Sequence, residues 1–138
     1  MVQVLLIASF VVRRKEKYSM KTFIDNAKKQ PINEEVVKSI EKAYSCTLPR
    51  ELKHIVSCDD NNRFGYDIKI LSEKEILNAD DILKGELSSC NLIPIIDVFD
   101  DDFIAYDIEN KKYVCINTLD EIVFDSSDDI YELLPLEA

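Results

Sequence analysis

The sequence predicts a single α+β domain: an antiparallel or mixed sheet of about five or six strands, with N-terminal helices packed on it and a C-terminal helix closing it. Three observations carry this. The 138 residues are 46% apolar and 9% aromatic, enough for one real core and too apolar for a disordered chain. Capped segments with helical spacing fill the stretch before Gly85, and from Leu92 onward apolar runs are joined by short polar turns. No repeat, low-complexity segment or Pro/Ser-rich linker divides residues 20–138.

Phe23, Ile24 and Ala27 suggest a short helical turn ended near Pro31. Asn33 can cap a helix with acidic Glu34 and Glu35 in its first turn, and Val36, Val37, Ile40, Ala43 and Tyr44 recur on one face. Pro49 suits the first position of a second helix, whose buried stripe is Leu52, Ile55 and Val56; His54 falls off that face, at the rim. Ser72 with Glu75 forms a capping box ahead of Ile76 and Leu77, in a helix that extends unevenly through Ile82 and Leu83 to Gly85. Strands follow at Tyr66–Ile70, 92–99, 103–108, 113–117 and 121–125, and their short connections imply antiparallel pairing. Asp100, Asp101 and Asp102 make one turn, and Glu109, Asn110 and Lys111 the next. A last helix is expected from Ser126 or Ser127, with Ile130, Leu133 and Leu134 on the core and Pro135 as its stop.

Charge narrows the function classes. The chain carries 27 Asp plus Glu against 17 Lys plus Arg, a formal net charge of −10. Residues 97–138 hold 13 of the acidic and only two of the basic side chains, Lys111 and Lys112. Such a chain repels polyanions and suits cationic partners, so direct nucleic-acid binding is not expected. With two glycines, Gly65 and Gly85, it cannot build a phosphate-cradling loop or a nucleophile elbow. Cys46, Cys58, Cys90 and Cys115 contain no CxxC pair, which argues against zinc and for buried free thiols in a reducing cytoplasm. His54 has no catalytic partner visible in the sequence. Asp97, Asp100, Asp101, Asp102 and Asp107 could crowd oxygen ligands near one turn, as in a metal-dependent enzyme. The spacing lacks the glycine and glutamate of a calcium loop, so solvated turn carboxylates are the favoured reading, and no metal or other cofactor is expected.

Residues 1–19 stand apart. The apolar run 2–12 has no preceding positive charge and is followed by Arg13, Arg14 and Lys15, the reverse of a secretory signal; it is also shorter than the roughly 20 apolar residues of a membrane span. It reads as an edge strand, a membrane-associated stub, or an upstream extension with Met20 as the working start, the last being favoured. The remaining 119 residues, 20–138, carry net −13 and form the expected domain.

The segment IEKAYSCTLPRELKHIVS at 40–57 resembles the signature of the SUKH superfamily: a helix ending near Tyr44, then Leu48-Pro49 opening a second helix with Leu52 and Ile55. ILSEKEIL at 70–77, NLIPIID at 91–97, DFIAYDIE at 102–109 and the segment 126–134 follow in the order of that family, so the resemblance covers about residues 33–134. One departure is the loop CDDNNRFG at 58–65, where family members usually carry an Asn-Gly turn. The resemblance implies a small non-enzymatic α+β protein, which joins the cytoplasmic location expected from the free thiols. The superfamily includes many bacterial immunity proteins, and the resemblance implies one that binds a cognate polymorphic or contact-dependent toxin; the alternative is a regulatory adaptor like the yeast cell-wall regulator. For an immunity protein the partner would be a toxin with a basic, nuclease-like domain, and no membrane. Candidate partner-binding residues are Asp97, Asp100, Asp101, Asp102, Asp107 and Glu109, with Phe103 or Tyr106 as anchors. Asp128, Asp129 and Glu132 form a second acidic patch on the expected last helix.

Overall fold

In the computed structural model, which describes residues 19–58, 62–65 and 67–135, the N-terminal helices form where their caps stand. The readings of residues 1–18, Asn61 and Tyr66 lie outside the described residues. Ser19 Oγ accepts from the Thr22 N–H at 3.2 Å and opens α1 (Met20–Ala27), which buries Met20, Phe23, Ile24 and Ala27. Asn33 Oδ1 accepts from the Glu35 and Val36 N–H groups at the start of α2 (Glu34–Tyr44). Val37 and Ile40 are buried there, Val36 and Tyr44 pack at the margin, and Ala43, expected on the buried face, is exposed.

Left-handed Ser45 (φ 52°) ends α2, and Glu41 reaches forward to accept the Leu48 N–H at 2.7 Å. That bond sets the chain entering α3 (Arg50–Ile55). Pro49 is the cap of α3 rather than its first helical residue: its ψ of 153° is extended, while its carbonyl accepts the Lys53 N–H. Leu52, Ile55 and Val56 are buried, as expected. His54 sits at the rim, its Nδ1 at 2.7 Å from the Gln30 carbonyl. In α4 (Glu73–Leu77) both halves of the Ser72/Glu75 capping box are present, Ile76 is buried, and Leu77 is exposed. Instead of continuing unevenly, α4 gives way to separate 3-10 turns at Ala79–Asp81 and Gly85–Ser89.

The six strands are β1 (Arg63–Phe64), β2 (Ile68–Ile70), β3 (Leu92–Phe99), β4 (Asp102–Asp107), β5 (Lys112–Asn117) and β6 (Ile122–Ser127). They pair antiparallel in sequence order, a meander with β1 and β6 at its edges. Alternation along the strands divides the side chains between two faces. Ile93, Ile96, Ile104, Tyr106, Tyr113 and Cys115 meet the helices in the main core. Leu92, Ala105, Val114 and Ile116 meet Ala79, Leu83 and Leu87 on the other face. β3 to β5 are thus covered on both sides over part of their length, which explains why they read as nearly continuous apolar runs.

The expected C-terminal helix is a correction. Ser126 and Ser127 lie in β6, opposite Val114 and Tyr113, and only a 3-10 turn follows at Ile130–Leu133. Ladder pairing has claimed the residues that would have formed the first helical turn, and four residues before Pro135 are too few for a second. Ile130 and Leu133 still reach the core, while Leu134 is half-buried. The thiols also divide: Cys58 and Cys115 are buried as expected, Cys46 is half-buried, and Cys90 is exposed.

Polar contacts tie the layers together. The Tyr113 hydroxyl donates to Glu51, Glu51 is ion-paired with Lys28, and the Lys28 ammonium lies 4.2 Å from the centre of the Tyr131 ring. The Tyr131 hydroxyl in turn donates to Asp25. On the far side of α2, the Tyr44 hydroxyl donates to the Ile76 carbonyl at 2.7 Å. Burial, followed by the nearby Asp80 and Cys46, pushes Tyr44 up to about 12. A raised folded-state value favours the protonated phenol, so this contribution is complete below the unfolded pKa near 10 and declines as pH rises toward about 12. Tyr44→Phe is expected to cost about 1 kcal/mol at neutral pH through loss of the hydrogen bond. The variant should also lose stability less steeply across the alkaline range, as read by urea denaturation at stepped pH.

Candidate protein-binding surface

The β3–β4 turn has an unusual backbone. Phe99 (φ 88°), Asp100 (56°) and Asp101 (66°) are all in the left-handed region. Aspartate tolerates that region, but a bulky aromatic there is an outlier of the kind that collects at functional surfaces. Asp97 Oδ1 holds the turn by accepting the Phe99 N–H at 3.0 Å, and Asp102 Oδ1 accepts from Asn117 Nδ2 at 2.7 Å. The Asp101 carbonyl accepts both the N–H and the hydroxyl of Thr118, joining this turn to the β5–β6 turn. In that second turn the Asp120 N–H donates to Asn117 Oδ1. One end of the sheet thereby gathers Asp97, Asp100, Asp101, Asp102 and Asp120 around Phe99, 57% exposed, and Leu119, 77% exposed.

The other sequence candidates lie elsewhere. Asp107 and Glu109 are at the opposite end of β4, about 17 Å away at the usual rise per strand residue. There Asp107 accepts from the backbone and side chain of Asn110, and Glu109 accepts from Asn91 Nδ2. Asp128, Asp129 and Glu132 follow β6 at that same end, not on a helix. Asp129 caps the 3-10 turn through the Tyr131 N–H, and Glu132 accepts from the Ser127 hydroxyl. Tyr106 is buried against the helices and edge-on to Tyr113, so it is not a surface anchor. Phe103 is half-buried beside the acidic turn.

On the sheet face opposite the helices, the register lines up Arg63, Lys69, Asp97, Phe103, Ile116 and Val123, one from each strand. The first four border an open groove of about 310 Å³, completed by Asp67, Phe99, Asp100 and Asp101. Lys69 is committed to Glu75 at 2.6 Å. Burial opposes the charge of Glu75, but the bonds from Lys69 and Ser72 outweigh it and hold its pKa below the usual carboxylate value. With Lys69 so engaged, the groove sets Asp67, Asp97, Asp100 and Asp101 against the cation Arg63 beside an aromatic wall, a net acidic lining suited to an arginine or lysine side chain. Among the described residues, no group of three or more His, Cys, Asp or Glu is placed to hold a metal, and no helix is long and apolar enough to cross a membrane.

Phe99, Leu119, Asp120, Arg63 and Lys69 were not among the sequence candidates. The signal for Phe99 was its place directly before three aspartates. Two register shifts in β3, between Pro94 and Ile96 and between Asp97 and Phe99, break the alternation that would otherwise have revealed its outward direction.

The description of the SMI1/KNR4 family (SUKH-1) matches residues 31–135. Comparison with curated proteins and with solved structures returned no match. The turn geometry separates folding from any binding role. Asp100→Asn and Asp101→Asn should leave stability within about 0.5 kcal/mol, because neither side chain is hydrogen-bonded among the described residues and Asn tolerates the left-handed region. Asp102→Ala, which leaves the Asn117 amide without its acceptor, should cost about 1 kcal/mol in the same urea denaturation experiment.

Proposed function

The chain belongs to the SMI1/KNR4 (SUKH-1) family, which includes toxin immunity proteins, and on that premise we propose that it binds and neutralises a cognate bacterial polymorphic or contact-dependent toxin. The observation that carries this reading is the acidic end of the sheet, where Asp97, Asp100, Asp101, Asp102 and Asp120 surround exposed Phe99 and Leu119. It acts by occupancy rather than chemistry. Carboxylates fixed around apolar anchors present what a cationic, nuclease-like cleft binds, and they accelerate encounter through long-range attraction. The cost of holding like charges together is met when the partner's Lys and Arg arrive. Asp107, Glu109, Asp128, Asp129 and Glu132, at the other end, add to the attracting field and are secondary to the contact.

The test is the product of the reading frame immediately upstream, with its C-terminal domain purified and assayed against this protein. We expect a tight complex that weakens with salt and neutralises the toxin. Asp100→Lys combined with Asp101→Lys should slow association by on the order of tenfold while leaving the fold intact. Absence of both binding and neutralisation would overturn the reading. Co-purification with housekeeping proteins in its place would point to the regulatory adaptor.

A further inference from the structure

The two edges of the sheet are unlike. β1 is two residues long and ends the sheet with little free backbone. β6 is six residues long, and its first five are exposed, including Ile122 (46%), Val123 (45%) and Phe124 (52%). A strand at an edge presents a row of unpaired N–H and C=O groups, and proteins usually blunt such a row with lysine, proline or brevity. β6 has none of these. Its guards are the bulge at Phe124, where Val123 pairs with Ile116 and Asp125 with Cys115, and Asp125 Oδ1, which accepts the Ser126 N–H at 2.9 Å and so occupies one backbone donor of the strand. Its base is also fixed: the Glu121 carboxylate fills the space beside Gly85, where a side chain at that position would come within 1.3 Å of Oε1.

The stretch of chain that makes this edge carries charge of one sign. Between Tyr113 and Pro135 the chain has no Lys, Arg or His, while Asp120, Glu121, Asp125 and Asp128 flank the apolar triplet. A second copy pairing β6 to β6 would bring these carboxylates into one ladder, where like charges opposite each other are destabilising. A strand of opposite charge would be attracted along its whole length. We propose that β6 is a docking edge for an extended segment of a partner protein, in which apolar side chains alternate with Lys or Arg and which adds as a seventh strand. Backbone bonds would supply affinity, and Ile122, Val123 and Phe124 together with the flanking carboxylates would supply selectivity. This deepens the proposed function by assigning a contact mode to the partner, and it holds whether that partner is a toxin or a regulatory protein.

The probe is a capped peptide of alternating valine and lysine, long enough to span β6, added to the full chain and followed by amide hydrogen exchange. Expected are slowed exchange within Ile122–Ser127, binding that weakens with salt, and loss of binding when alternate peptide nitrogens are methylated. Val123→Lys with Phe124→Lys, both at exposed positions, should weaken binding by about tenfold or more with an unchanged circular dichroism spectrum. Equal binding of the methylated peptide, protection elsewhere than β6, or no binding overturns the proposal. So does protection, before any peptide is added, of the β6 amides that face away from β5, which a second copy or the chain's own residues 2–12 would produce. The two readings fail separately. If the double lysine variant still neutralises the upstream toxin at full strength, the docking edge is wrong and the immunity function stands; if the peptide docks on β6 but no toxin is bound, the reverse holds.

Discussion

One carboxylate connects most of the tertiary structure. Glu51, in the first turn of α3, accepts the hydroxyl of Tyr113 from β5 and pairs with Lys28 just beyond α1. Lys28 in turn lies over the ring of Tyr131, whose hydroxyl returns to Asp25 in α1. Three separate stretches of chain meet on this one group, and apolar packing alone would not set their relative rotation. Burial opposes the charge of Lys28, yet its interactions with Glu51 and then Tyr131 together outweigh it and raise its pKa. Burial, then the Glu51 bond, likewise keeps the Tyr113 phenol protonated far into the alkaline range.

With the helices locked to one face and the Ala79–Leu87 segment covering part of the other, the remaining surface is a consequence. The ends of the hairpins and the β6 edge are what the two layers leave uncovered. The acidic residues collect there, where water screens them until a partner displaces it. The strained turn at Phe99–Asp101 is anchored from both sides, by Asp97 and by Thr118, so its aromatic and acidic groups are presented in a fixed arrangement. A preorganised surface loses less conformational entropy on binding than a mobile one.

Most of the fold was legible because its local signals agree with its packing. Asn33, Ser72 with Glu75, and the Leu52–Ile55–Val56 stripe each form as the sequence implies, and the limits of β3 coincide with the apolar run at 92–99. The failures share a cause. Ser126 and Ser127 look like helix caps, but a neighbouring strand offered them ladder bonds; Phe99 sits in a strand pattern, but two bulges rotated it outward. Asp107 and Glu109 are near Asp102 in sequence, yet a six-residue strand carries them to the other end of the sheet. Strand length decides which turn residues become neighbours, so charge density along the chain located the acidic third and could not divide it. Arg63 and Lys69 escaped notice because only cross-strand register brings them beside Asp97.

The order of the strands has a kinetic meaning. Every strand pairs with its neighbour in sequence, and from β3 to β6 the connections are short turns, so that part of the meander can zip locally with little loop-closure cost, the arrangement associated with rapid folding. The bond between Asp25 and Tyr131 is the opposite case: it spans 106 positions and joins the first described helix to the last described turn. During synthesis that clasp must wait until Tyr131 has left the ribosome, so α1 waits through the making of the whole sheet for its partner, and the domain is fastened only after its last strand has been made.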